Sequence, residues 1–219
     1  MAEIKHHLSD EILMAYSSGT LPEGYALVVA THVSLCDECR ARAESFDAVG
    51  GAVLAEAGDV AMSAGSFDAT LEMILNETPE DETEKAPYRT EHDAVFPMPL
   101  QDYVGGDLDS VKWRAVGGGV SQAILQRTHD STVRLLRIPA GTEVPDHGHR
   151  GVEVTMVLKG AFKDECGRFA RGDVEIADED LQHTPIAEEG EDCICLAATD
   201  APLKFNALIP RIAQPFLRI

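Results

Sequence analysis

Aromatic residues make up only 5% of the 219-residue chain, too few to supply the stacking platforms of a base-binding protein. Basic residues are also scarce: 18 Lys and Arg stand against 38 Asp and Glu, a net charge of −20. Such a surface repels a phosphate backbone, which argues against direct nucleic-acid binding and for a basic protein partner. No apolar run reaches the roughly 18 residues of a membrane span. The opening MAEIKHHLSD lacks the charged-then-apolar pattern of a secretory signal, so a cytoplasmic location with no membrane attachment is expected. The five cysteines, Cys36, Cys39, Cys166, Cys193 and Cys195, are odd in number. In a reducing compartment they point to metal ligation, redox chemistry or plain burial rather than to a disulfide framework.

Apolar residues are plentiful at 44%, enough for a globular core. Charge is unevenly spread. Residues 1–96 hold 5 basic and 19 acidic side chains, a net −14, whereas residues 97–219 hold 13 and 19, a net −6. The asymmetry marks two functional units.

The first unit reads as helices. Ser9 suits a cap before Asp10-Glu11, with Ile12, Leu13 and Tyr16 on one side and Gly19 as the stop. Pro22 suits the first turn of a second helix, whose near-continuous Leu27, Val28 and Val29 predict burial. A third helix runs from about Asp37 through Phe46, Val49 and Val53. A fourth follows Ser66, with Phe67, Leu71, Ile74 and Leu75 at three- and four-residue spacing. Helices this short need one another's apolar faces, or a partner's.

From residue 77 to 99 the chain is acidic and dotted with proline, as in a linker. Beyond about residue 100 the period shifts to two. STVRLLRI, VEVTMVLKG, DVEIA and CICLAAT are short, rich in β-branched residues and bounded by Gly, Pro or Asp, as in an antiparallel sandwich or small barrel. The expected organisation is α + β and multidomain. A small helical bundle spans residues 1–78, an acidic linker 79–99, and an antiparallel β-sandwich or barrel 100–219.

Two clusters carry metal chemistry. In THVSLCDEC, His32, Cys36 and Cys39 form H-x3-C-x2-C, offsets that put the side chains on one side of a helical corner. Imidazole and thiolate suit tetrahedral zinc, and three ligands leave one vacancy. His6, His7 and His92 are the other histidines of this half. His92 lies in the linker, and His7 sits just before the first helix, where packing can bring it to the site. In the strand half, Gly141, His147, His149, Glu153 and Gly160 spell G-x5-H-x-H-x3-E-x6-G. His147 and His149, two apart on a strand, face the same side. His183, preceded by Gly172, is the fourth candidate, and three His with one Glu suit a divalent first-row metal, whether zinc, manganese, iron or nickel. Cys193 and Cys195 also share a strand face, where core packing accounts for them as readily as proximity to the metal.

The strand-half pattern resembles the two motifs of the cupins. The second motif departs from the usual form: Asp178-Glu179-Asp180 stands where Pro-x-Gly is common, and Ala187 stands four residues after His183 in place of Asn. HHLSDEILMAYSSGTL with ATHVSLCDECRARA resembles the zinc-containing anti-sigma domain, whose first ligand lies two residues before a Ser-Asp helix start. That position is His7. The order of zinc anti-sigma domain, linker and cupin, together with DCICLAATDAPLKFN and QPFLRI near the end, is similar to ChrR-type zinc-dependent anti-sigma factors.

The resemblance implies a non-enzymatic regulator that binds and inhibits an extracytoplasmic-function sigma factor of RNA polymerase. Release would follow singlet oxygen or related oxidative stress sensed through the cupin domain. It implies two metal sites, both assigned to zinc: His7, His32, Cys36 and Cys39 in the helical half, and His147, His149, Glu153 and His183 in the strand half. The competing expectation is a metal-dependent cupin dioxygenase or isomerase with a helical appendage.

Overall fold

The computed structural model describes residues 3–76 and 94–205. The expected linker stretch 79–93, with His92, and the QPFLRI segment lie outside the described residues.

Four helices form the N-terminal half. The Ser9 hydroxyl accepts from Ile12 N at 3.4 Å and caps α1 (Asp10–Ser17), which ends just before Gly19 at φ +68°, a left-handed position that suits glycine. Pro22 leads into α2 (Glu23–Val33). Cys36 occupies the N-cap of α3 (Asp37–Glu56), its sulfur accepting from Cys39 N at 3.4 Å, so the cap residue is also a candidate ligand. The last helix of this half is α4 (Ser66–Asn76).

The second half opens differently from the sequence expectation. Residues 94–99, expected as the end of the linker, are packed: Phe96 is buried, and Asp107 accepts from the amides of Val95 and Phe96. A short helix, α5 (Met98–Val104), follows, too brief at seven residues to leave a periodic signal.

The strands then build an antiparallel sandwich. A six-stranded sheet has the order β1-β2-β3-β11-β5-β8. Its strands are β1 (Arg114–Gly117), β2 (Val120–Arg127), β3 (Thr132–Ile138), β5 (Glu153–Lys159), β8 (Val174–Ala177) and β11 (Cys193–Thr199). A three-stranded sheet of β6 (Ala161–Lys163), β7 (Arg168–Ala170) and β10 (Ile186–Ala187) closes over one face. There Phe162, Phe169 and Ala187 pack against Ile138, Val157, Cys193 and Cys195. A third sheet joins β4 (His147–Gly148), β9 (Gln182–His183) and β12 (Lys204–Phe205), with His147 paired opposite His183.

The other face of the large sheet is covered by the helical half. Val154, Met156 and Leu158 of β5 and Ile194, Leu196 and Ala198 of β11 share one apolar cluster with Leu27, Val28 and Val29 of α2. Period-two alternation therefore sends one set of β11 side chains to α2 and the other, Cys193 and Cys195, into the sandwich. This is why CICLAAT is buried along its whole length. Polar contacts reinforce the joint, among them Tyr25 Oη donating to Val152 O at 2.6 Å.

Leu196 is fully buried between the layers. Leu196→Ala should cost about 2–5 kcal/mol through lost transfer energy and a cavity. Chemical denaturation of the full chain measures it, and a cost below about 1 kcal/mol would show that the two layers do not pack tightly.

Candidate metal centres

The first centre lies where α1, α2 and α3 meet. The ligand atoms of His7, His32, Cys36 and Cys39 all lie within 4.8 Å of one another. His7 Nδ1 is 3.3 Å from Cys36 Sγ and 3.7 Å from Cys39 Sγ, and His7 Nε2 is 3.5 Å from the Glu38 carboxylate. His6 takes another path. Its Nδ1 lies 3.5 Å from Asp173 Oδ1 and its ring rests 4.3 Å from that of Phe169. The structure thus brings His7, not His6, to the cluster.

His32 is completely buried. Its Nδ1 is 2.9 Å from Gly172 O, and because a carbonyl only accepts, Nδ1 carries the proton. That leaves Nε2 as a bare lone pair, and Nε2 is buried with no hydrogen-bond partner. A cation satisfies this orphan; an apolar core does not. Burial depresses the His32 pKa to about 4, which keeps the ring neutral and able to ligate. Burial likewise pushes Cys39 up to about 11, so a positive ion is what would make its thiolate stable.

The second centre lies inside the sandwich. His183 Nε2 is 3.2 Å from His147 Nε2 and 3.3 Å from His149 Nε2, and all three rings are buried. His147 Nδ1 donates to Pro145 O at 2.9 Å, which turns its Nε2 lone pair inward. Converging imidazole lone pairs repel one another unless a proton or a metal stands between them. Burial lowers the pKa values of His147 and His149, against the attraction of Glu153, and so favours neutral, ligating rings.

Behind His183 stand two carboxylates the sequence reading missed. His183 Nδ1 is 2.8 Å from Asp164 Oδ2 and 3.3 Å from Glu175 Oε1. Burial opposes charge on His183, but Glu175 and Asp164 outweigh it and lift its pKa to about 9. Burial is also the main force raising Glu175 to about 7. A carboxylate behind a ligating imidazole fixes the tautomer and orients the ring.

Glu153 shares the chamber without joining the three-histidine group. Its Oε1 accepts from Thr155 Oγ1 at 3.1 Å, and the described ligand atoms of this half that lie within 4.8 Å of one another form two groups sharing His183: His147, His149 and His183, and Asp164, Glu175 and His183. Cys193 and Cys195 are buried with sulfurs 3.6 Å apart. Cys166 is exposed at the β6–β7 turn, where its amide donates at 2.9 Å to Asp164, the carboxylate behind His183.

Residues 101–202 match the ChrR cupin-like domain family. Over 216 residues, 99% of each chain, the sequence is 56% identical to the anti-sigma-E factor ChrR of Cereibacter sphaeroides. The chain belongs to the ChrR family of anti-sigma factors. A crystal structure of Rhodobacter sphaeroides SigE in complex with the anti-sigma ChrR matches at a TM-score of 0.75 and 54% identity, over 90% of this chain and 100% of that one.

ChrR-family membership makes the chain a regulator rather than an enzyme, so the dioxygenase or isomerase expectation does not hold. It also gives meaning to a surface unusual for a folded chain. On α4, Phe67, Met73, Ile74 and Leu75 are between 62% and 76% exposed, and the outer end of α3 adds Val49, Val53 and Leu54. An apolar stripe of this kind marks a protein interaction site. Among the described residues, no helix is long and apolar enough to cross a membrane.

Proposed function

We propose that the chain binds and inhibits an extracytoplasmic-function sigma factor in the cytoplasm and releases it under singlet oxygen or related oxidative stress. Residues 1–78 hold the sigma factor, residues 100–219 sense the signal, and residues 79–99 join them. The observation that carries this reading is the exposed apolar face of α4 on a chain 56% identical to an anti-sigma factor along its whole length. An amphipathic helix of this kind docks into a groove of its partner, and the acidic N-terminal half suits a sigma factor whose surfaces are basic.

Zinc is the ion best suited to the two-histidine, two-thiolate set of His7, His32, Cys36 and Cys39. The second site uses His147, His149 and His183, with Glu153 as a fourth ligand once its side chain leaves Thr155, and also takes zinc. Bound there, the metal cross-links the strands and offers a Lewis-acidic centre.

The test is in vitro transcription with the cognate sigma factor, with and without the full chain. Undiminished transcription at a molar excess of the chain would refute inhibition. The sensing half has its own test. Replacing His147, His149 or Glu153 should keep inhibition in unstressed cells and cut the singlet-oxygen response at least about fivefold, because these ligands lie away from α4. A normal response in every variant would remove the barrel metal from sensing. A response lost only on replacing Cys193 and Cys195 together would place the sensor at those thiols.

A further inference from the structure

Four consecutive residues, 172–175, lie between the two metal centres. Gly172 O accepts from the His32 ring at 2.9 Å. Asp173 Oδ1 accepts from the amides of Lys5 and His6 at 2.6 and 2.9 Å, and its Oδ2 from Ala170 N at 2.8 Å. Val174 N donates to His6 O at 3.2 Å. Glu175 Oε1 lies 3.3 Å from His183 Nδ1. On the near side, then, this segment fixes one ligand of the first centre directly and the backbone beside another, His7. On the far side Glu175 Oε1, buried with no hydrogen-bond partner, lies at ion-pair distance from His183 of the second centre, whose Nδ1 is bonded to Asp164.

We propose that residues 172–175 couple the two metal centres, so that occupancy of the barrel site governs how firmly the His/Cys site keeps its ion. The proposal rests on the reading above that both clusters hold metal.

The segment is built to transmit a shift. It spans only about 10 Å at the ~3.3 Å rise of a strand. Alternation places Val174 in the interdomain core and Glu175 inside the sandwich. β8 is locked to β5 through Thr155 opposite Glu175 and Met156 opposite Val174, so displacement at Glu175 is not absorbed locally. Gly172 adopts φ +94°, and a Cβ there would meet Ile4 Cδ1 at 2.7 Å. The approach to residues 4–6, the strap that leads into His7, is therefore close, and the left-handed φ favours glycine.

With a barrel ion in place, His183 would be held from both ring nitrogens, Nδ1 by Asp164, and would stand at a fixed distance from Glu175. Without it, His183 and Glu175 are free to re-pair, β8 moves, and the Gly172 carbonyl and Asp173 carboxylate lose their alignment with His32 and the strap before His7. Thermodynamic linkage requires the reverse effect to be equal in size. Spatial continuity alone does not establish energetic coupling; a double-mutant cycle does.

The experiment uses the full chain loaded with zinc, counted per chain by elemental analysis and then challenged with a chromogenic chelator. Fewer than two ions per wild-type chain would overturn the metal reading and this proposal together; two ions without coupling would overturn this proposal alone. His183→Ala should weaken zinc binding at the His/Cys site about tenfold in equilibrium competition with the chelator, a coupling of about 1.4 kcal/mol. Asp173→Asn keeps the shape but leaves one acceptor oxygen where two are used, and in that background His183→Ala should add less than about twofold. Tyr25→Phe removes an interdomain bond that touches neither centre, and should leave the tenfold effect in place. Equal affinity in wild type and His183→Ala, or a tenfold effect that survives Asp173→Asn, would overturn the coupling, as would its loss in Tyr25→Phe. If Asp173→Asn fails to fold, amide exchange decides. Protection of Lys5 and His6 should fall about tenfold from wild type to His183→Ala, and unchanged protection would refute the proposal.

Discussion

Cys36→Ala should strip the His/Cys centre of its ion and abolish inhibition of the sigma factor. Structural zinc supplies about 10–16 kcal/mol of apparent binding energy in small metal-folded units. A quarter share, about 2.5–4 kcal/mol, corresponds to an affinity loss of roughly 70- to 900-fold. The loss is compounded because Cys36 also caps α3. What comes apart is specific. α2 remains pinned to the sheet through Leu27, Val28 and Val29, whereas α1 and α3 reach the same apolar cluster through fewer buried side chains, Leu13 and Ala43 among them, and lose the ligand cluster that ties them to α2. Circular dichroism should therefore show partial rather than total loss of helix, with the strand half intact. Elemental analysis and in vitro transcription read the two main effects. Full zinc content together with full inhibition in Cys36→Ala would refute the centre's structural role. His7→Ala should reproduce the defect and His6→Ala should not, because His6 faces Phe169 and Asp173.

The second large effect is expected on α4. Leu71→Asp combined with Ile74→Asp puts two carboxylates in the middle of its apolar face. Burying two such aliphatic side chains against a partner gives about 1.5–3 kcal/mol each, and carboxylates at the same places add a desolvation cost. Sigma affinity should fall at least about a thousandfold. Both side chains are exposed in the chain alone, so thermal stability should change by no more than about 1 kcal/mol. Calorimetric titration with the purified sigma factor measures the affinity. Wild-type binding by a folded double variant would move the interface off this helix.

Much of the candidate chemistry was legible because ligand spacing is set by local geometry. H-x3-C-x2-C needs only a helical corner, and H-x-H only a strand. What was not legible depended on contacts distant in sequence. Glu175 in DVEIA reads as the outward residue of an alternating strand. It is buried because its face of β8 turns into the sandwich interior, while Val174 on the opposite face meets the helical half. Asp164 in KDECGR reads as a solvated turn. It is drawn inside by His183, 19 residues on. The same cause makes CICLAAT a doubly buried strand. A helical half read as separable on composition turns out to share its main apolar cluster with the sheet, because the covering helix comes from the other end of the chain.

That sharing has a consequence for the order in which the protein can be made. His32 and Gly172, which meet in the finished fold, are 140 residues apart, and β11, the strand on which α2 rests, comes later still. At the usual ~5–20 residues per second of synthesis, α2 waits on the order of 10 s for its landing surface. During that interval Leu27, Val28 and Val29 have no sheet to cover them, and the newborn helical segment presents its buried face as well as α4. Long-range closure of this kind is slow relative to helix formation. Each chain therefore passes through a stage in which its most adhesive surfaces are exposed together, before the strands that will cover the α2 face exist.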